Sequence, residues 1–312
     1  MPNLLILSKK ADQYESLVRA KNLPELGLFS STDAHVDAET AGQCELVLGE
    51  PDLIRALLPS LTSLRWAQST WAGVEPLLEA PSRRDYVLTN ARGVFGPQMS
   101  EYVFGYLLAH ERRMWEHRRS QQKRHWAPTE NGTLRGKTLG LLGVGSIGAH
   151  LAGTAKHFGM TVRGYSRLSE TCPDVDTYYH GADLLAFAKG LDYLVCSLPN
   201  TSATGRLAGK ALFDVLPSGA IFINVGRGGA VDEGALVEAL RSNQIAGAVL
   251  DVFETEPLPE SSPLWDFPNV FITFHTAAVT DPADMVNLFC ENYTRYLGGE
   301  PLNYVVNFKQ GY

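Results

Sequence analysis

The sequence predicts an α/β fold with two parallel sheets, each covered by helices on both faces. Short apolar segments typical of buried strands alternate with helical segments along most of the 312 residues. Parallel neighbours need a long crossover, and that crossover is usually a helix, so the alternation favours parallel sheets. A chain of this length is expected to form about two domains. In the first part the predicted strands are 3–7, 45–48, 64–68 and 86–89.

Helices are predicted between these strands at 12–20 and 53–58, and a long helical segment begins at Gly96-Pro97. Proline suits the first turn of a helix, where no N–H is needed. A second alternating series follows, with strands at 138–143, 161–165, 192–198, 220–225, 246–251 and 270–274. Its predicted helices are 147–158, 182–189, 208–215 and 232–241. A final helix at about 282–297 follows the sheet, and its order in the chain does not assign it to the second sheet.

Composition excludes several classes of protein. Hydrophobic residues make up 45% and charged residues 20%, as in soluble globular proteins. The net charge of −7 argues against nucleic acid as the main partner. No apolar run approaches the roughly 18 residues of a membrane helix, and the start resembles a strand rather than a signal peptide. The four cysteines lack metal-ligand spacing, so we expect no metal site and a cytoplasmic location.

The strongest single motif is the Gly-x-Gly-x-x-Gly of residues 143–148, between a predicted strand and a predicted helix. Gly143 allows the tight turn, Gly145 leaves room for a pyrophosphate, and Gly148 lets the helix approach the strand. The N–H groups at the start of the helix and its dipole favour phosphate. The motif therefore predicts a dinucleotide site formed by Gly143, Gly145, Ser146, Ile147 and Gly148.

Chemically reactive side chains follow two later strands. Arg227 lies between glycines after the strand 220–225, and His275 follows the strand 270–274. In an open parallel sheet, ligands bind outside the carboxyl ends of the strands. An arginine there can bind a carboxylate through two hydrogen bonds. A histidine at such a position is either a structural residue or an acid–base group.

Four segments together carry a resemblance: 143–148 (GVGSIG), 224–228 (NVGRG), 250–259 (LDVFETEPLP) and 275–278 (HTAA). In this order they resemble the D-isomer-specific 2-hydroxyacid dehydrogenases, and most of all the short glyoxylate/hydroxypyruvate reductase branch. Segments 92–102, 198–201 and 262–265 support that branch. The similarity extends through nearly the whole chain.

The resemblance implies two Rossmann-like or flavodoxin-like domains with the active site in a cleft between them. Residues 1–98 and 280–312 would form a discontinuous substrate-binding domain, which accounts for the final helix. Residues 99–279 would form the inserted dinucleotide-binding Rossmann domain. The long helices would make a homodimer interface.

The resemblance also implies roles for individual residues. His275 would give a proton to the carbonyl of a small 2-oxo acid, and Glu256 would favour its protonated form. Arg227 would bind the carboxylate and polarise the carbonyl. The resemblance further implies that Asp251, Leu198 and Pro199 contact the cofactor, Asp251 on its nicotinamide side.

In the first domain, backbone N–H groups of the loop Trp71-Ala72-Gly73 would hold the substrate carboxylate, as suits a loop that leads into a helix. The alternative is an ordinary turn between strand and helix. Trp71 stands where this branch more often has glycine, and Phe274 stands where proline usually precedes the histidine. Both departures bear on substrate size, and neither removes a catalytic group.

The end of the strand 161–165 favours NADP(H) over NAD(H). An NAD enzyme usually has an acidic residue there that binds the ribose 2′-hydroxyl. This chain has Ser166 and Arg167, which could bind a 2′-phosphate. The alternative is that Arg167 is a solvated loop residue and NAD(H) is used almost equally well.

Other functions remain open at this stage. A formate- or phosphite-type dehydrogenase is disfavoured, because the formate branch has glutamine where Glu256 stands. A regulatory phosphoglycerate dehydrogenase is disfavoured, because no further domain follows the last helix. A nicotinamide-sensing binding protein or corepressor on this fold is the alternative from another class. Glyoxylate, hydroxypyruvate and larger 2-oxo acids all fit the predicted chemistry.

Overall fold

The computed structural model describes residues 1–79, 83–167, 169–309 and 311. The chain forms two compact units, and the first is discontinuous in sequence. It consists of Met1–Val94 together with Thr280–Tyr312, and the second unit is Phe95–Val279. Among the described residues, no helix has the length and apolar character needed to cross a bilayer.

The first unit is built on a five-stranded parallel sheet with the order β2-β1-β3-β4-β5. Its strands are β1 (Asn3–Leu7), β2 (Gly27–Ser31), β3 (Leu46–Gly49), β4 (Trp66–Ser69) and β5 (Val87–Thr89). Its helices are α1 (Ala11–Ala20), α2 (Ala38–Gly42), α3 (Pro51–Leu57), α4 (Glu75–Leu78) and the last helix of the chain, α11 (Pro282–Leu297). The central strands β1 and β3 are almost wholly buried, as expected for a parallel sheet covered on both faces.

Helix α11 packs against this sheet through aromatic rings. Asp281 caps its start by accepting a hydrogen bond from the N–H of Ala283. Phe289 is fully buried, and its ring stacks on that of Trp66 with centroids 5.0 Å apart. The C-terminal segment therefore supplies part of the core of the first unit.

The second unit contains a seven-stranded parallel sheet with the order β12-β11-β10-β9-β6-β7-β8. Its strands are β6 (Thr138–Leu142), β7 (Thr161–Tyr165), β8 (Thr177–Tyr179), β9 (Tyr193–Cys196), β10 (Ile221–Asn224), β11 (Gly247–Leu250) and β12 (Val270–Ile272). Its helices are α5 (Gly96–Glu111), α6 (Met114–Gln122), α7 (Ser146–His157), α8 (Leu184–Ala188), α9 (Lys210–Val215) and α10 (Glu233–Arg241).

Alternation along the central strands produces two cores, one on each face of this sheet. In β9, Leu194 and Cys196 belong to one apolar cluster, and Tyr193 and Val195 belong to the other. Successive side chains of a strand point to opposite faces, so a strand covered on both sides must be apolar throughout. This explains why the sequence of β9 reads as a continuous apolar run.

The predicted α/β class with two parallel sheets is confirmed. Most predicted elements are present with ends shifted by a few residues, and Asp232 caps α10 through the N–H of Ala235 as expected. The long helix predicted from Gly96 is interrupted, because the chain turns at Arg113, whose φ is 48°. Four short elements were not predicted from the sequence: β2, α2, α4 and β8.

Candidate active site

The candidate site of the second unit follows the carboxyl ends of its strands. Strand pairing aligns one row of residues across the sheet: Tyr165, Leu142, Cys196, Asn224, Leu250 and Ile272. Each predicted site residue of this unit lies a few positions after a residue of that row. Glu256 lies farthest along, six positions after Leu250. In strand order they are Ser166, the glycine loop, Leu198, Arg227, Asp251 and His275. Because the strands are parallel, these residues share one edge of the sheet, where α/β proteins bind ligands.

The glycine loop has the geometry that its sequence predicts. Gly143 adopts φ +103°, a conformation that other residues rarely adopt. A Cβ on Gly148 would collide with the carbonyl oxygen of Gly143, so this position must stay glycine for the helix to pack on the strand. A Cβ on Gly145 would point into open space in front of α7. That space is where a phosphate would need to approach the backbone.

Helix α7 begins without a side-chain cap at Gly145. Its first N–H groups therefore face the open space with the positive end of the helix dipole. Ser146 and Ile147 form the first turn, and Leu198 and Pro199 follow the neighbouring strand β9. The residues present fit a dinucleotide, with its pyrophosphate at the start of α7.

The His275 and Glu256 side chains are in direct contact. His275 Nδ1 lies 2.8 Å from Glu256 Oε2, and the other carboxylate oxygen of Glu256 accepts a hydrogen bond from the N–H of Phe253. Both side chains are partly exposed. The contact orients the imidazole and leaves Nε2 for a ligand. A carboxylate can only accept hydrogen bonds, so Nδ1 is the donor in this contact.

The backbone of His275 is in the left-handed region, with φ 56°. Such a conformation costs about 1–3 kcal/mol for a residue with a side chain and persists only where neighbours enforce it. Here the N–H of His275 donates to the carbonyl oxygen of Asp251 at 2.8 Å. The histidine that the sequence singled out is therefore held by specific backbone contacts.

The Asp251 carboxylate is buried and forms hydrogen bonds within the protein. Only 2% of the residue is exposed. Its oxygens accept hydrogen bonds from the Thr273 hydroxyl and from the N–H groups of Thr276 and Ala277. The sequence-based expectation was a contact with the nicotinamide side of the cofactor. In the structure this carboxylate organises the turn that carries His275, and its contact with the cofactor stays a prediction.

Arg227 follows β10, two strands away from the strand that precedes His275. Its side chain is partly buried, and Nη1 donates to the carbonyl oxygen of Gly226 at 2.9 Å. Gly226 and Gly228 have no room for side chains, because a Cβ would collide with the backbone at Leu198 and Phe253 respectively. The flanking glycines thus allow the Arg227 loop to pack tightly between its neighbours.

The end of β7 carries Ser166 and Arg167, the two residues predicted to bind a 2′-phosphate. The serine is mostly buried, and its hydroxyl donates to the carbonyl oxygen of Ser169 at 2.6 Å, so this proton is used within the loop. Arg167 beside it is exposed. Of this pair, Arg167 is therefore the exposed residue.

His180 is hydrogen-bonded to two groups of this loop. One ring nitrogen lies 2.8 Å from the carbonyl oxygen of Ser166, and the other lies 2.7 Å from a carboxylate oxygen of Glu170. Both neighbours are acceptors, and only the imidazolium has two N–H donors. The hydrogen bond to Glu170, supported by that to Ser166, raises the pKa of His180 above its ordinary value.

In the first unit, the predicted carboxylate loop lies between β4 and α4. The carbonyl oxygens of Trp71 and Ala72 accept hydrogen bonds from Ala91 and Asn90. Within the described ranges, the N–H groups of Ala72, Gly73 and Val74 have no hydrogen-bond partner. Trp71 itself is 41% exposed. The loop thus offers consecutive free donors and, just before them in the chain, a residue with an exposed indole.

Three residues near His275 escaped the sequence-based prediction of the site. Tyr102, Thr273 and Gln98 contact the segment that carries the histidine. Gln98 and Tyr102 are four residues apart and so lie on one face of α5, a signal that the sequence does contain. For metals, no group of three or more His, Cys, Asp or Glu side chains in the described part of the chain is placed to hold an ion.

Comparison with known proteins identifies the family. Residues 104–277 match the family model for the NAD binding domain of the D-isomer specific 2-hydroxyacid dehydrogenases. Glyoxylate/hydroxypyruvate reductase A of Salmonella heidelberg (strain SL476) is 34% identical over 248 residues, which cover 77% of this chain and 80% of the relative.

Two solved structures are similar over nearly their full length. A D-isomer specific 2-hydroxyacid dehydrogenase family protein from Aeromonas salmonicida subsp. salmonicida A449 is 43% identical, with TM-score 0.92 over 98% of this chain and 99% of the other. A D-isomer specific 2-hydroxyacid dehydrogenase from Xanthobacter autotrophicus Py2, in complex with NADPH and MES, is 31% identical, with TM-score 0.90 over 100% of both chains. The chain belongs to the D-isomer specific 2-hydroxyacid dehydrogenase family.

Proposed function

We propose that this chain reduces a small 2-oxo acid, of the glyoxylate or hydroxypyruvate type, to the D-2-hydroxy acid. The observation that carries the proposal is the contact of His275 Nδ1 with Glu256 at the ligand-binding edge of the second sheet. With Nδ1 held, Nε2 can give its proton to the carbonyl oxygen of the substrate. The reduced nicotinamide, when bound, supplies the hydride to the carbonyl carbon. The proton and the hydride together account for both hydrogens that the substrate gains.

Two groups would bind the acid part of the substrate. The free N–H groups of Ala72 and Gly73 suit a carboxylate, and Trp71, whose indole is partly exposed, directly precedes them in the chain. The Arg227 guanidinium would polarise the carbonyl and contact the carboxylate through charge-assisted hydrogen bonds. Binding residues of this kind raise the rate only where they stabilise the negative charge that develops on the carbonyl oxygen.

NADP(H) is the cofactor. The pyrophosphate would lie at the start of α7, and the 2′-phosphate would lie near the loop that follows β7. The supporting features are the exposed Arg167 and the lack of an acidic residue at position 166. An acidic residue at that position would repel the 2′-phosphate.

A homodimer in the cytoplasm is the further proposal. Helix α6 and the segment after it expose Met114, Trp115 and Trp126, and Trp126 is 92% exposed. Apolar side chains concentrated on one exposed segment are typical of an interface between subunits. All four cysteines are free thiols, as suits a reducing compartment.

The experiment is a panel of 2-oxo acids with NADPH and NADH, assayed with the wild type, Arg167→Ala and His275→Ala. We expect kcat/KM to be highest for glyoxylate or hydroxypyruvate with NADPH. Arg167→Ala should lose the preference for NADPH and keep its rate with NADH. His275→Ala should reduce kcat about a hundredfold to ten-thousandfold. A folded His275→Ala protein with unchanged turnover would contradict the proposal.

A further inference from the structure

Helix α5 holds both ends of the segment 273–279, which carries His275. The Gln98 side chain exchanges two hydrogen bonds with the backbone of Val279: its amide donates to the carbonyl oxygen at 3.0 Å and its oxygen accepts from the N–H at 2.8 Å. One helical turn later, the Tyr102 hydroxyl lies 2.8 Å from the hydroxyl oxygen of Thr273. Residues four apart share a helix face, so one face of α5 fixes the segment at two points.

The buried Asp251 carboxylate holds the same segment from the sheet side. It accepts hydrogen bonds from the Thr273 hydroxyl at 2.5 Å and from the Thr276 N–H at 2.8 Å, while its carbonyl oxygen accepts from His275. The Thr273 proton is committed to the carboxylate, because a carboxylate can only accept. The Tyr102 hydroxyl must therefore be the donor toward Thr273. The two hydrogen bonds therefore donate in one direction, from Tyr102 to Thr273 and from Thr273 to Asp251.

The Tyr102 hydroxyl keeps its proton throughout the neutral pH range. Burial raises the pKa of Tyr102 well above its ordinary value. The Tyr102 hydroxyl therefore remains a hydrogen-bond donor when His275 changes its protonation state.

The hydrogen bonds from Tyr102 through Thr273 to Asp251 bear on the left-handed backbone of His275. The conformation is costly and persists only when several contacts determine it. We propose that Tyr102 and Thr273 are positioning residues, which act through Asp251 to hold the imidazole of His275 against Glu256 in the orientation needed for proton transfer. This inference rests on the proposed function, because it concerns the delivery of the His275 proton.

The test is a double-mutant cycle between Tyr102→Phe and His275→Ala, measured as kcat for reduction of glyoxylate with NADPH. Tyr102→Phe keeps the ring and removes only the donor, and we expect kcat to fall about tenfold, since small displacements of a reacting group are costly. In the His275→Ala background the same change should alter the residual rate less than twofold, because the group it positions is absent. A purely structural role would lower the rate equally in both backgrounds and would overturn the inference.

Matched variants separate positioning from loss of folding. Thr273→Val should lower kcat at least as much as Tyr102→Phe, and Thr273→Ser, which keeps the hydroxyl, should retain most of the activity. Tyr106→Phe is the control, because its ring contacts both Tyr102 and Phe271 from the same helix; its kcat should change less than twofold. The dissociation constant for NADPH, measured by fluorescence titration, should be unchanged in all four variants.

The two levels of the proposal fail in different ways. If the proposed function is wrong, the wild type lacks reductase activity or His275→Ala keeps it. If only the positioning role is wrong, His275→Ala loses activity as expected, while Tyr102→Phe matches the wild type or loses the same factor in both backgrounds.

Discussion

At the scale of single residues, the contact between His275 and Glu256 should determine how firmly the proton donor is held. The Glu256 carboxylate lies 2.8 Å from Nδ1 of His275 and can only accept a hydrogen bond from it. In Glu256→Gln the charge of this acceptor is lost, and the amide can also turn its NH2 group toward the imidazole. We expect kcat to fall about tenfold, because the imidazole is then held less firmly in the orientation needed for proton transfer. The measurement is kcat for glyoxylate reduction with NADPH.

A matched control for this variant is Glu254→Gln. Glu254 lies two residues away on the same loop and pairs with Arg206 at 2.8 Å instead of with a histidine. Its removal should leave kcat unchanged. Equal kcat for Glu256→Gln and the wild type would show that the carboxylate does not hold the proton donor.

We expect this protein to differ from its relatives in the size of the substrate that it accepts. Trp71 is the residue that we expect to cause most of this difference. Its indole is 41% exposed, and the residue directly precedes Ala72 and Gly73, whose N–H groups are free. Trp71→Ala should raise kcat/KM for bulky 2-oxo acids relative to glyoxylate, because it opens space beside the carboxylate loop. Trp71→Phe, which keeps a large ring, is the comparison. The same ratio of substrates in Trp71→Ala and the wild type would show that the indole lies away from the substrate.

At the scale of elements, the sequence predicted what depends on local pattern. The apolar runs that became β6, β9, β10 and β11 are continuous because both faces of those strands are buried. Strand β8 has three residues with exposed or intermediate side chains, so no apolar run marks it. The Tyr102–Thr273–Asp251 chain joins residues up to 171 positions apart, and only the assembled sheet shows it.

The loop after β7 owes part of its order to the pair His180–Glu170, and this contribution should depend on pH. The pKa of His180 is raised in the folded protein, mainly by the hydrogen bond to Glu170. The stabilisation is therefore complete below the ordinary histidine value of about 6.5 and is lost as pH rises through the raised folded value. Glu170→Gln should lower the Tm at pH 5.5, and the difference from the wild type should disappear at pH 9.

The control for this pair is Asp214→Asn. Asp214 pairs with Lys210 at 2.8 Å on the surface of α9. A lysine–aspartate pair keeps its charges between pH 5.5 and 9, so any effect on Tm should be the same at both. If Glu170→Gln behaved like this control, the protonation of His180 would not be coupled to folding.

At the scale of the whole molecule, chain order alone could not place the last helix. The sequence predicted α11 from its periodicity, but the partners of its apolar face lie more than 200 residues earlier. Phe289 stacks on Trp66 of β4, and the Asn292 amide donates to Gln68 on the same strand. Both contacts lie inside the first unit, which therefore cannot complete its core until the C-terminal segment has been made.

This arrangement predicts a large loss of stability when α11 loses its central ring. Phe289 is fully buried between the rings of Trp66 and Tyr293, so Phe289→Ala leaves a cavity as well as removing apolar contact. The expected cost is about 3–5 kcal/mol in the free energy of unfolding, the usual range for buried phenylalanine. Phe274→Ala is the control, because Phe274 is 72% exposed and surface changes usually cost less than about 0.5 kcal/mol. Urea unfolding followed by far-UV circular dichroism compares the two. Equal midpoints would mean that the packing of α11 on β4 contributes little to the stability of the first unit.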